Sequence, residues 1–183
     1  MIIGLTGKNG AGKGAVAEYL VSRGYCYYSL SDALRDELKK MGREITRENL
    51  IKTGQELRVK YGPGVLAEMT IKKLVNGLSH VIDSFRHPAE AMVFKSRRGF
   101  IFWRVEADEK IRFERCLKRG REQEAGSFEH FLEVEKKEFN TGDKSKQDLL
   151  GTLELADTAI ENNSTIEDLH KRIEAELEKI EKA

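Results

Sequence analysis

The chain has 183 residues, with 39% apolar and 34% charged residues, two prolines and a formal charge of +1 from 32 basic against 31 acidic side chains. That length suits one domain with a sizeable core, and the composition argues against a disordered chain. The near-zero charge argues against duplex nucleic acid as the main partner, so nucleic acid is not expected, and any anion must be held by local clusters.

The elements alternate in type along the chain. Met1–Thr6 reads as a short buried strand, and Gly12–Arg23 as a helix that Gly24 stops. Tyr25–Leu30 reads as a second strand, followed by a helix capped by Ser31 or Asp32 and running to about Met41. Thr46–Tyr61 and Val65–Asn76 read as helices divided by Gly62-Pro63-Gly64. Leu78–Ser84 is a third strand, and Pro88 suits the first turn of a short helix. Phe100–Glu106 is a fourth strand, and Asp108 to about Arg119 a helix. A charged loop, Gly120–Gly126, precedes a helix that Ser127 caps and that runs to about Phe139. After a polar stretch, Asn140–Asp148, come a short helix near Leu149–Leu155 and a fifth strand, Thr158–Glu161. Ser164 with Glu167 reads as a capping box for the last helix, where Ile166, Leu169, Ile173, Leu177 and Ile180 share a face.

This alternation predicts one α/β domain over 1–183, a three-layer sandwich around a five-stranded parallel sheet. Residues 31–77 hold only helix and are expected to form a helical insertion over the sheet edge. Cys26 and Cys116 stand alone and read as reduced thiols; Trp103 reads as core. No secretory leader or membrane-length apolar run is visible, so a cytoplasmic protein is expected.

The most specific signal is Gly7-Lys8-Asn9-Gly10-Ala11-Gly12-Lys13-Gly14, a Gly-x-x-x-x-Gly-Lys run between a strand and a helix. Glycines let successive N–H groups converge on an anion, and the helix N-terminus adds partial positive charge. Gly7 through Ala15 are therefore expected to cradle the phosphates of ATP, with Lys13 reaching the β- and γ-phosphates. The run lacks the usual Ser or Thr hydroxyl for magnesium, because Gly14 and Ala15 follow the lysine. Asp83 ends the third strand, where parallel sheets meet their ligands, and is the candidate for Mg2+ or its water shell. Arg86 would project toward an acceptor. Arg112, Arg115, Arg119 and Arg121 include pairs at helical spacing, and the planar guanidinium suits phosphate.

In this order the segments resemble the adenylate kinase and nucleoside monophosphate kinase family, over nearly the whole chain. Ser31-Asp32-Ala33-Leu34-Arg35 looks like the segment after the second strand, whose arginine helps hold the monophosphate. Asp83-Ser84-Phe85-Arg86 looks like the Asp-Gly-Phe-Pro-Arg element, with Ser84 in place of glycine and no proline, which leaves the register open by one residue. Asp108-Glu109 through Arg115 and Arg119 looks like the helix leading into a lid whose arginines clamp the transferring group; a lid-like loop is expected at 118–128. Thr53-Gly54-Gln55-Glu56-Leu57-Arg58 and Tyr61-Gly62-Pro63-Gly64 look similar to deoxynucleoside monophosphate kinases, which would set Arg58 toward the acceptor and Gln55 toward a base edge. Ala156 through Asn163 resembles the terminal segment of dephospho-CoA kinases, next to the adenine, and so implicates Asn162.

The resemblance implies ATP-dependent phosphoryl transfer to a nucleoside or deoxynucleoside monophosphate by a monomer or homodimer. Lys13, Arg86, Arg115 and Arg119 would be catalytic, and Asp32, Arg35, Gln55, Arg58 and Arg86 would bind the acceptor. A dephospho-CoA kinase and a nucleotide-binding regulatory module are the alternatives.

Overall fold

In the computed structural model, residues 1–119, 127–138 and 146–182 are described. Five strands, β1 (Ile2–Thr6), β2 (Cys26–Ser29), β3 (His80–Asp83), β4 (Phe100–Glu106) and β5 (Thr158–Glu161), form one parallel sheet in the order β2-β3-β1-β4-β5. The register pairs Ile3 with Val81 and with Ile101, so all strands end on the same side of the sheet.

Side chains alternate across each strand and divide the core in two. Ile3 and Leu5 of β1, Val81, Trp103, Val105 and Ile160 face the helices α1 (Lys13–Ser22) and α9 (Ile166–Glu181). Ile82 and Phe102 point the other way, against α2 (Leu30–Lys40), α3 (Arg47–Tyr61), α4 (Val65–Ile71) and α5 (Pro88–Lys95). This is the expected three-layer sandwich, with Trp103 fully buried and three helices, α2 to α4, inserted between β2 and β3. The remaining helices are α6 (Glu109–Lys118), α7 (Phe128–Glu138) and α8 (Leu149–Glu154).

The boundaries differ from expectation at three places. α2 begins at Leu30, directly after Ser29 at the end of β2, and neither Ser31 nor Asp32 caps it; both lie inside the helix. α4 stops at Ile71, because Lys73 and Leu74 donate three residues back, to Thr70 and Ile71, and tighten the chain into turns. The cap of α9 is Thr165, whose hydroxyl accepts from Asp168 N at 3.3 Å, one residue later than the Ser164–Glu167 pair. Ser127 does cap α7, accepting from His130 N at 3.2 Å. Among the described residues no disulfide joins Cys26 or Cys116. Among the described residues no helix is long and apolar enough to cross a membrane. Gly120–Gly126, with Arg121, lies outside the described residues.

Candidate functional site

The loop that leaves the central strand β1 has a shape that its glycines dictate. Gly10 and Gly12 have φ of 78° and 101°, in the region where L side chains are strained. Each also meets a close neighbour: a Cβ at Gly10 would lie 2.4 Å from the Arg112 carbonyl oxygen, and one at Gly12 would lie 2.1 Å from Asn162 Nδ2. Gly12 is the N-cap of α1, so the free N–H groups of the first turn open toward the loop's concavity. Lys13 Nζ lies across the loop and donates to the carbonyl oxygens of Gly7 at 2.7 Å and Lys8 at 3.2 Å.

Two partners brace the loop from behind. Asn162, 6% exposed at the end of β5, donates through Nδ2 to Ala11 O at 2.9 Å. Arg115 on α6 donates through Nη2 to Asn162 O at 3.0 Å and Oδ1 at 3.3 Å, and its Nη1 lies 3.5 Å from the Gly10 and Ala11 oxygens. Burial, and then the adjacent Arg119 cation, press the Arg115 pKa downward. Arg119 itself caps the C-terminus of α6 and is exposed.

A third partner, Arg112, was legible in sequence only as part of an arginine spacing. It is 1% exposed and donates to Ala107 O and Asn9 O, both at 3.1 Å. Its guanidinium also forks onto the Glu135 carboxylate of α7, with one arm at 3.0 Å. Lys8 Nζ stands 3.5 Å from the same carboxylate. Nothing in the spacing of α7 pointed to Glu135. A cleft of about 400 Å³ opens beside this network, lined by Lys8, Ala11, Glu106, Asp108, Arg112 and Asn163 among others. It flanks the loop on the side of β4 and β5, and neither Gly12 nor Lys13 lines it.

A second group of candidate residues lies at the ends of β2 and β3. Asp83 closes β3, and its Oδ1 accepts from Ser84 N at 2.5 Å. Ser84 has φ of 71°, the only non-glycine residue with positive φ among the described residues. Serine thus stands where the backbone suits glycine, which is the position that the Asp-Gly-Phe-Pro-Arg resemblance assigns to it. Three hydroxyls run on from there: Ser84 Oγ to Ser29 Oγ at 2.9 Å, and Ser29 to Ser31 at 2.8 Å. Arg35 Nη1 donates to Ser31 Oγ at 2.7 Å and to Asp32 Oδ1 at 2.9 Å. The chain links Arg35 and Asp32 to the Asp83 corner.

Phe85, 1% exposed, packs edgewise on Phe94 and Phe102, with ring centroids 5.3 Å and 4.9 Å away. It anchors the segment that carries Arg86, whose carbonyl accepts from Asp148 N at 2.9 Å. Arg58 is buried and paired with Glu90 at 2.9 Å. Gln55 is half-buried on α3, and among the described residues no hydrogen bond joins it to the other assigned side chains. The structure thus gathers Gly7–Ala15, Arg115 and Asn162 into one group and Asp32, Arg35 and Asp83 into another. Arg58 and the Arg86 backbone meet through Glu90.

The donor set fits magnesium held largely by water and phosphate. Mg2+ keeps several waters and takes one or two carboxylates, and Asp83 offers its second oxygen beside a run of hydroxyls.

A parallel sheet in this order, with a glycine loop and lysine at the end of the central strand, defines a P-loop kinase-like fold. The chain belongs to the AAA domain family, whose family model matches residues 3–140. It belongs equally to the UPF0200 proteins: one from Pyrococcus horikoshii is 35% identical, over 98% of this chain and 97% of the relative. Among solved structures, TT1252 from Thermus thermophilus has a TM-score of 0.63 at 21% identity, covering 98% of this chain and 97% of that one. The shikimate kinase of Acinetobacter baumannii, solved in complex with shikimate, has a TM-score of 0.59 at 16% identity, covering 97% and 93%. At these identities the structural likeness establishes the fold.

Proposed function

We infer that the chain transfers the γ-phosphoryl group of ATP to a nucleoside or deoxynucleoside monophosphate. The observation that carries the reading is the meeting, at one end of the sheet, of a phosphate-shaped loop and a second group of arginines around Asp83 and Arg86. Phosphoryl transfer needs alignment and positive charge on the equatorial oxygens more than covalent help. Gly7–Ala15 cradle the donor phosphates. Lys13 leaves its two carbonyl partners and bridges the β- and γ-phosphates. Arg35, Arg58 and Arg86, with Asp32 and Gln55, hold the acceptor. Arg115 and Arg119 offset charge in the transition state, and Asn162 borders the adenine. Asp83 would hold magnesium, which when bound supplies charge compensation on the phosphate oxygens.

Two other readings each have an observation in their favour. Asn162 and Asn163, which clasp the phosphate loop and Asp108, belong to the segment that resembles dephospho-CoA kinases. Gly14, with no hydroxyl, favours a nucleotide-binding regulatory module. The deciding experiment is ADP formation from Mg-ATP against every ribo- and deoxyribonucleoside monophosphate and dephospho-CoA, with product mass measured. Stimulation by a monophosphate supports the reading, and stimulation by dephospho-CoA alone replaces it. Tight ATP binding without stimulation by any acceptor would leave the regulatory module.

A further inference from the structure

Glu90, in the first turn of α5, has no exposed surface, yet its carboxylate is fully engaged. Oε1 accepts from Arg58 Nη2 at 2.9 Å. Oε2 accepts from the backbone N–H of Arg86 at 2.8 Å and of His87 at 3.1 Å. One side chain therefore joins α3, in the helical insertion, to the segment between β3 and α5. A helix cap explains the bond to His87 N and no more. The Arg58 side chain is 5% exposed, and its Nε is a buried donor with no hydrogen-bond partner among the described residues. Burying such a pair returns little net stability, and an apolar pair would hold α3 on α5 as well. The pair does something that an apolar contact cannot: it fixes the direction of a guanidinium and the backbone of a second arginine with one rigid group.

We propose that Glu90 is a positioning residue for the acceptor phosphate. One oxygen sets the Arg86 backbone and the other aims Arg58, so both cations approach one small phosphorylated acceptor as a unit. The proposal rests on the phosphotransferase reading above.

Glu90→Gln keeps the shape and an oxygen for the backbone N–H groups while removing the charge. It is compared with wild type on the monophosphate or dephospho-CoA that wild type phosphorylates fastest, together with ATP affinity and Tm. The expected result is an acceptor KM raised about tenfold or more, with ATP affinity changed less than about twofold. In an Arg58→Met background the same substitution should add little, because Glu90 acts through Arg58. An unchanged acceptor KM with a lowered Tm would reduce Glu90 to a cap. Equal losses for ATP and acceptor, or additive effects with Arg58→Met, would also overturn the proposal. If Glu90→Gln does not fold, Arg58→Lys gives the same reading, since it keeps the charge and loses the fork: an acceptor KM unchanged there overturns the proposal too. A wild type that phosphorylates no acceptor refutes the phosphotransferase reading and this inference together, whereas an active wild type with an unaffected variant refutes this inference alone.

Discussion

Replacing Gly14 by serine restores the hydroxyl that phosphate loops of this form carry after the lysine. The structure has room for it: Gly14 is exposed in the first turn of α1, and a Cβ there meets no heavy atom within 4 Å. Its backbone is not left-handed either. Serine should therefore gain helix propensity, about 0.3–0.5 kcal/mol, and raise Tm by about 1 °C. If the metal sits at the loop mouth, the hydroxyl replaces one of its waters. A gain of about 1 kcal/mol corresponds to roughly a fivefold lower half-saturating magnesium concentration. The assay is binding of a fluorescent ATP analogue titrated with Mg2+, alongside thermal unfolding, with Gly14→Ala as control. Alanine should stabilise by up to about 1 kcal/mol and leave the magnesium midpoint alone. A Gly14→Ser midpoint equal to that of alanine would show that position 14 does not reach the metal. A Tm lowered by several degrees would show that the space is not open.

Lys13→Ala should abolish turnover and weaken ATP binding, whereas Arg86→Ala should raise the acceptor KM or lower kcat with ATP binding nearly intact; calorimetry showing equal loss of ATP affinity in both would refute that division. Arg112→Met strands the buried Glu135 carboxylate and should cost about 3–5 kcal/mol in urea unfolding, with much of it recovered in the Arg112→Met, Glu135→Leu pair; a single-variant cost under about 1 kcal/mol would contradict the burial argument. His87 is 8% exposed, and its Nδ1 accepts from Ala89 N as the cap of α5. Burial is the main cause pushing its pKa down, with the Arg58 cation adding to it against Glu90 and Asp148. The folded state then binds fewer protons than the unfolded state, so this stability is complete above about pH 6.5 and is lost as pH falls through the lowered folded value. His80, 3% exposed and also lowered by burial, acts in the same direction. His87→Asn keeps a capping side chain, and urea unfolding from pH 7.5 to 5 should show a shallower decline than wild type; an identical decline would sink this assignment.

The fold was readable because its signals are periodic and local. Phe100–Glu106 and Thr158–Glu161 coincide with β4 and β5, since alternation across a buried sheet constrains every second residue. Caps were less legible, because Ser164 and Thr165 are both competent and their spacing alone does not choose Thr165. The phosphate loop was legible because glycine spacing encodes backbone shape directly. Glu135 and Glu90 were not, because their roles depend on partners 23 and 32 residues away on other helices. A glutamate three residues after a cap looks the same whether or not an arginine reaches it from the insertion. Ser84 lies between these cases: its resemblance to a glycine position is visible in sequence, and its φ of 71° gives that resemblance a physical cause.

Two buried arginines show why a cation turned inward needs a matching acid. Arg112 and Arg58 are both buried, ion-paired cations. Each is held by a glutamate from a neighbouring helix, and each is tied to the backbone of a functional loop. Arg112 donates to Asn9 O directly, whereas Arg58 reaches the Arg86 N–H through Glu90. An arginine buried without its carboxylate would be prohibitively costly, so each inward cation requires an inward acid. Net charge therefore says little about phosphate affinity here. What matters is which cations can turn outward: Lys13 donates across the loop to the carbonyls of Gly7 and Lys8, bonds that phosphate oxygens can replace. Arg112 has no such freedom, because its Nε, Nη1 and Nη2 all donate, to Ala107 O, Asn9 O and Glu135, whereas Arg58 meets Glu90 through Nη2 and keeps that bond in the role proposed for it. Arg112 thus braces the loop, and the role proposed for Lys13 is compatible with the carbonyl bonds it makes.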